Sequence, residues 1–203
     1  MGFLMIPALG LYALISFGTV SWAIIHARKH KKNPWIWGLG AVFFMYNLLF
    51  WDWLPTVAAH KYYCSTEAGF WVYKTLDQWK AENPGVMETL TPYKGPQNQR
   101  DGDMENYIDT YYLNQRFNWI IKHNGKFFPN RWRHEQELID TRNNEILARY
   151  VDFSTSQERR QAGWSGWKFW LDNQNCSGGE FNQSNLRQFR NEFMRDIPDI
   201  PGT

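Results

Sequence analysis

Residues 117–140 read FNWIIKHNGKFFPNRWRHEQELID, and the fold of the C-terminal part of the chain turns on this stretch. Phe117, Trp119 and Ile121 alternate with Asn118, Ile120 and Lys122, which is the period of a strand. Asn124-Gly125 favours the positive φ values of a tight turn, so the pair predicts a hairpin with Phe127 and Phe128 opening the return. Trp132, His134, Gln136 and Leu138 then alternate with Arg131, Arg133, Glu135 and Glu137, predicting a strand with one buried and one wet, charged face. The polar turn Thr141-Arg142-Asn143-Asn144 leads into a β-rich run from Ile146 to Phe153. An antiparallel meander follows from this order. Its matched charges predict cross-strand pairs worth about 0.2–1 kcal/mol each rather than a substrate site.

The flanks predict helices, so the fold class is α+β. Upstream, Ser65 or Thr66 caps a helix whose ridge is Phe70, Tyr73, Leu76 or Asp77, and Lys80, and Asn83-Pro84-Gly85 stops it. From Thr91 to Asp103 the sequence is rich in breakers and reads as a loop, with Asp101-Gly102-Asp103 a solvated turn lacking the ligand series of a calcium loop. Downstream, Ser184 to Asp196 reads as a short amphipathic helix carrying Leu186, Phe189, Phe193 and Met194.

Charge divides the chain. Of its 22 basic and 20 acidic residues, residues 1–59 hold only Arg28, Lys29, Lys31, Lys32 and Asp52. The remainder, residues 60–203, is close to neutral and has no cationic field for phosphates, which excludes a nucleic-acid-binding body. With 43% hydrophobic and 18% aromatic residues the chain is not disordered.

Phe3 to Ala27 contains no Asp, Glu, Lys or Arg, and His26 is its one side chain with an ordinary pKa near neutrality. As a helix it is about 37 Å long, enough to cross a hydrocarbon core of about 30 Å. The positive cluster follows this stretch instead of preceding it, so it reads as a retained anchor and not a cleaved signal. Asn33-Pro34 starts a second helix, and Trp35 to about Leu54 makes a second span. Spans of about 3–27 and 35–54, joined by a loop over 28–33, form a transmembrane helical hairpin. The bases in that loop place it in the cytoplasm by the positive-inside rule, with both termini and residues 60–203 in the periplasm. Gly38, Gly40, Ala41 and Asn47 are candidates for packing against another membrane helix. Asp52, at the end of the second span, reads either as an ion site or as a headgroup-level residue that is solvated, and the nearby Pro55, expected to end the helix, favours the second.

The two cysteines, Cys64 and Cys176, both fall in the exported part and predict a disulfide. Closing so long a loop stabilises by about 4–5 kcal/mol in the chain-entropy model. With no CxxC, and no histidine read as standing at ligand spacing, a metal site is not expected. Gln157 to Asp172 is the densest aromatic stretch of this part, and Trp164, Trp167, Phe169 and Trp170 are candidate partner-binding residues, with a core element and an interfacial segment as the competing readings.

Catalytic signals are few. The five histidines stand in unrelated contexts, and there is no phosphate loop, HExxH, haem motif or serine-triad order. A carboxylate site carries no motif, and Glu135, Glu137, Asp140 and Asp152 are the nearest such cluster in sequence. No cofactor is expected. Trp51 to Val86 (WDWLPTVAAHKYYCSTEAGFWVYKTLDQWKAENPGV) and Tyr150 to Asp172 (YVDFSTSQERRQAGWSGWKFWLD) resemble a family of uncharacterised small membrane proteins from proteobacterial genomes. The resemblance implies a bacterial inner-membrane protein with an exported domain, and lends no activity, cofactor or catalytic residue.

The expectation is a non-enzymatic accessory subunit or partner-binding component of a larger membrane assembly, its partners being the bilayer and a membrane protein or further copies of itself. The alternatives are a periplasmic ligand- or protein-binding module, such as an immunity or exclusion factor, and a hydrolase with an unmotifed carboxylate site.

Overall fold

The computed structural model describes residues 2–91, 93–103, 105–128, 130–155, 168–171, 175–176 and 178–194. The chain divides into two compact units, Met1–Pro55 with Glu158–Phe169, and Thr56–Gln157 with Trp170–Thr203.

In the first unit α1 (Gly2–Lys29) and α2 (Pro34–Phe50) lie alongside each other in antiparallel register. The Tyr12 hydroxyl donates to the Met45 carbonyl, and the His26 and Trp37 rings are 5.5 Å apart. Gly38 faces Ile24, where a Cβ would come within 3.1 Å of the isoleucine side chain, so a small residue lets the two backbones approach. Asn33 caps α2 by accepting from the Trp35 amide at 3.0 Å. Among the described residues, Ile6–Lys29 is the one helix long and apolar enough to cross a membrane by itself.

The second span differs from expectation. α2 ends at Phe50, a turn at Trp51-Asp52 follows, and α3 (Trp53–Thr66) begins beyond it, so the length and polarity of a span are met only by α2 and α3 together. Pro55 does not end a helix; it sits in the first turn of α3, where a missing N–H costs no hydrogen bond. Asp52 is not solvated either, being 3% exposed and ion-paired with the Lys168 ammonium at 2.5 Å.

The second unit is built on one six-stranded, wholly antiparallel sheet in the order β1-β6-β5-β4-β3-β2, with β1 Gly69–Val72, β2 Asn98–Gly102, β3 Asn106–Tyr112, β4 Phe117–Phe127, β5 Arg131–Asp140 and β6 Glu145–Thr155. The expected meander and its α+β class are present. Phe70 to Val72, expected in a helix, is β1 instead, because these β-favouring residues pair with the free edge of β6. The helix itself, α4 (Leu76–Glu82), starts only after Thr75, whose side chain forms a capping box with Gln78, and it stops at Asn83.

The expected loop at Thr91–Asp103 contains β2. All five residues of this edge strand are exposed, so it carries no apolar alternation and pairs through its backbone with β3. Gly102 closes it at φ +108°, with the Asn106 carbonyl too near for any Cβ. The turn expected at Asn124-Gly125 lies further on: β4 continues through both residues with an irregularity between Asn124 and Phe127, and the reversal falls beyond Phe127. Gly125 is needed for packing, because a Cβ there would overlap the Trp132 ring.

One face of the sheet carries the main core. Trp79 of α4, Phe117, Trp119, Leu138 and Tyr150 pack with Leu186, Phe189 and Phe193 of α5 (Gly179–Phe193), a helix that starts five residues earlier than the expected Ser184. The Phe117 ring meets Trp79 at 4.9 Å and Phe193 at 5.1 Å, both edge to face. A smaller cluster, Val151, Phe153 and Cys176 with Tyr63, Cys64 and Ala68, lies beside the Cys64–Cys176 disulfide. That bond joins residues 112 apart in sequence.

Candidate functional site

The charged residues of β5 were expected to face water. They do not: Glu135 is 5% and Glu137 3% exposed, although both lie on the face opposite the main core. The β-sheet register explains this. Glu135 stands opposite Lys122 on β4 and Glu137 opposite Arg149 on β6, so long cationic side chains fold over the carboxylates. Arg149 donates to Glu135 at 2.6 Å, Lys122 to Glu137 at 2.6 Å, and Arg133 to Glu135 at 3.1 Å. The cross-strand pairing expected from sequence is present, but in a covered ladder and not on an open surface.

The ladder sets the two carboxyls apart. At Glu135 burial works to raise the pKa, but the hydrogen bond with Glu137 and the charges of Arg149, Lys122 and Arg133 outweigh it and hold the group below the usual carboxylate range. At Glu137 burial prevails, and the contact with Glu135 adds to it, so this carboxyl is raised despite Lys122.

The other two expected carboxylates serve different places. Asp140 accepts from the Trp79 indole at 2.7 Å, from Arg116 at 2.9 Å and from the Arg142 amide at 3.1 Å, which ties α4 to the sheet. These donors overcome the effect of burial and keep its pKa low. Asp152, on the face of His134, takes the Tyr150 hydroxyl at 2.9 Å and the amides of Phe153 and Cys176 at 2.8 and 3.0 Å. Burial and Asp152 together raise the Tyr150 phenol. The four carboxylates therefore do not form one site.

The histidines contain a surprise of register. His123 and His134 are direct partners across β4 and β5, with their Nδ1 atoms 2.8 Å apart, and His134 Nε2 is 3.1 Å from the Ser154 hydroxyl. Tyr107 stacks on His123 at 4.4 Å. The short contact between two ring nitrogens requires one to donate and the other to accept, so it fits neutral rings. Burial pushes His123 down to about 4, helped by His134, and burial also lowers His134 against the attraction of Asp152. A turn at Asn124-Gly125 would have paired His123 with Lys126, which is why sequence reading treated the histidines as unrelated; moving the reversal past Phe127 pairs them.

Of the aromatic candidates, Phe169 and Trp170 lie in a 3-10 turn, Phe169–Leu171, in which Trp170 is half-buried, whereas Trp164 and Trp167 lie outside the described residues. Of the helix-packing candidates, Gly38 lines a groove of about 360 Å³ along the α1–α2 pair with Val20, Ile24, Leu39, Val42 and Arg28. Gly40 faces open space, Ala41 is half-buried, and Asn47 donates to the Phe43 carbonyl of its own helix at 2.8 Å. Sequence reading also missed His60, which lies one turn before Cys64 on α3 with its ring nitrogens 3.6 and 3.7 Å from Cys64 Sγ.

No family model, curated protein or solved structure matches this chain. What the site can do rests on its own geometry: an ion-paired ladder that leaves neither carboxylate of Glu135 and Glu137 without a cation, and a neutral histidine pair.

Proposed function

We propose that this chain is a non-enzymatic bacterial inner-membrane protein, an accessory subunit that docks a partner in the membrane and presents residues 60–203 to the periplasm. In this reading α1 is one arm of the transmembrane hairpin and α2, continued into α3, is the other, the basic loop is cytoplasmic and both termini are periplasmic. The observation that carries it is the groove along the α1–α2 pair. It is lined by Val20, Ile24, Leu39 and Val42 with Gly38 between them, and Arg28 stands at one end. An apolar groove beside a closely packed helix pair suits the approach of a neighbouring helix, since helix association in lipid is driven by packing and not by hydrophobicity. The apolar side chains around it support the same reading, with Phe17 78% and Trp35 79% exposed. The disulfide supports an oxidising compartment for the second unit. In the sheet, the pairing of Glu135 and Glu137 with cations supports a structural and not a catalytic role.

Extraction of native membranes in mild detergent, followed by native-gel separation and mass spectrometry, tests the proposal. A fixed set of co-migrating proteins is expected, and filling the groove with Val42→Trp, at a lining residue that is 51% exposed, is expected to release them without loss of the chain from the membrane. Recovery of the chain as a lone monomer at native abundance overturns the proposal.

A further inference from the structure

We propose that reduction of the Cys64–Cys176 bond creates, with His60, a three-coordinate site for copper(I), so that the disulfide and a soft metal ion are alternative cross-links of the same two segments. One ligand atom from each of the three residues already lies within 4.8 Å of the others, and among the described residues these are the only cluster of this kind.

His60 and Cys64 are four residues apart on α3 and so share one face of the helix. Two ligands held at about 2.0–2.3 Å from one ion, with the bonds opened to a trigonal or tetrahedral angle, stand about 3.5–4 Å apart. The 3.6 and 3.7 Å between Cys64 Sγ and the His60 nitrogens are therefore already the separation of two ligands. Cys176 is presented from the other side. Its amide is held by Asp152 at 3.0 Å, and its Cα lies 5.3 Å from that of Cys64, so after reduction the two sulfurs need only part by side-chain rotation.

The donor set selects the ion. Two thiolates and an imidazole are soft ligands, which suit copper(I) and zinc. Zinc completes a tetrahedron, in an open site with water. Cys176 is 7% exposed and packs with Val151, Phe153 and Tyr63, so its side of the site is closed by apolar groups, while His60 and Cys64 are half-buried. Both oxygens of the nearby Asp152 are engaged, by Tyr150 on one side and the Phe153 and Cys176 amides on the other. Two thiolates rank the soft ion first, and copper(I) is content with the three ligands that stand together here.

The chemistry balances with a dithiol reductant. Two electrons and two protons pass from it to Cys64 and Cys176, the S–S bond breaks, and the reductant leaves as its own disulfide. Copper arrives and stays as copper(I), forms two Cu–S bonds and one Cu–N bond, and displaces the two thiol protons. The inference stands independently of the membrane reading, since His60, Cys64 and Cys176 all belong to the second unit.

The test uses the full-length chain in mild detergent, reduced with a phosphine under argon and titrated with copper(I) held by the coloured chelator bicinchoninate. The reduced chain is expected to withdraw one copper per chain and the oxidised chain none, and X-ray absorption is expected to give two sulfur ligands and one nitrogen. His60→Ala leaves the disulfide intact and is expected to weaken the reduced chain's affinity by at least roughly tenfold, the loss that follows from removing even an outer partner of a ligand. Cys176→Ser is expected to abolish uptake, with circular dichroism reporting the fold of each variant. Copper left with the chelator overturns the proposal, as does uptake unchanged by His60→Ala, preference for zinc under the same conditions, or a reduced chain that unfolds and is not refolded by copper(I).

Discussion

The helix pair and the sheet invert each other's use of polarity. On α1 and α2 the largest apolar side chains are exposed, among them Leu14, Phe17 and Trp35. In the sheet unit Glu135, Glu137, Asp140 and Asp152 are all buried. Each arrangement departs from the usual rule of apolar inside and charged outside, and each has a different remedy. Exposed apolar surface is stable where the surrounding medium is itself apolar. A buried carboxylate is stable only where donors surround it, because an unpaired charge in a low dielectric costs several kcal/mol. For Glu135, Glu137 and Asp140 the cationic donors come from other elements of the fold and so exist only once it is formed, whereas Asp152 takes two of its three donors from its own strand.

The sharpest way to break this comparison is to remove one buried charge. Asp140→Ala strips the Trp79 indole and the Arg116 guanidinium of a shared acceptor, and is expected to lower unfolding free energy by about 3–5 kcal/mol, read from urea or guanidinium denaturation. Next, a charge placed on the outer surface of the helix pair, as in Leu14→Asp, is expected to disfavour membrane insertion by roughly 3–4 kcal/mol. An insertion assay in microsomes reads this; a loss below about 0.5 kcal/mol, typical of a water-facing surface, would mean that α1 faces water.

Acid sharpens the comparison from the other side. His123 and His134 have folded pKa values below their unfolded values, and for such groups stability is complete above the unfolded pKa and lost as pH falls through the folded one. The thermal midpoint is therefore expected to fall between pH 6.5 and about 4, and His123→Asn to flatten that slope. Asp140, also lowered, adds a second loss at more acid pH. The smallest effect is expected at the rim, where Lys74 bridges Glu82 and Glu145. Lys74→Ala is expected to shift the denaturation midpoint less than any change above, since surface pairs are screened by water.

Much of the fold was legible because it follows from local rules. Alternation over 117–121, 131–138 and 146–153 marked β4, β5 and β6, and the odd placement of charge separated the N-terminal apolar stretch from the rest. The even cysteine count, with both cysteines outside the N-terminal apolar stretch, marked the disulfide. β2 was not legible, since an exposed edge strand has no buried face to impose a period on its residues. β1 was hidden by aromatic residues whose spacing also suits a helix ridge. The histidine pair was lost through a single misplaced turn: Asn124-Gly125 has the chemistry of a reversal, but Trp132 packs on Gly125 and the strand runs on.

By itself the sequence determined the strands that have one buried face, the C-terminal helix and which stretches are apolar enough to leave water, because those depend on neighbours a few residues away. Only the tertiary structure decided that the charges of β5 are covered, that Asp52 is paired with Lys168, that His123 meets His134, and that His60 stands over the cysteine pair. The physical reason is that periodicity reports which residues share a face, whereas burial and pairing depend on which strand or helix is laid against that face and in what register.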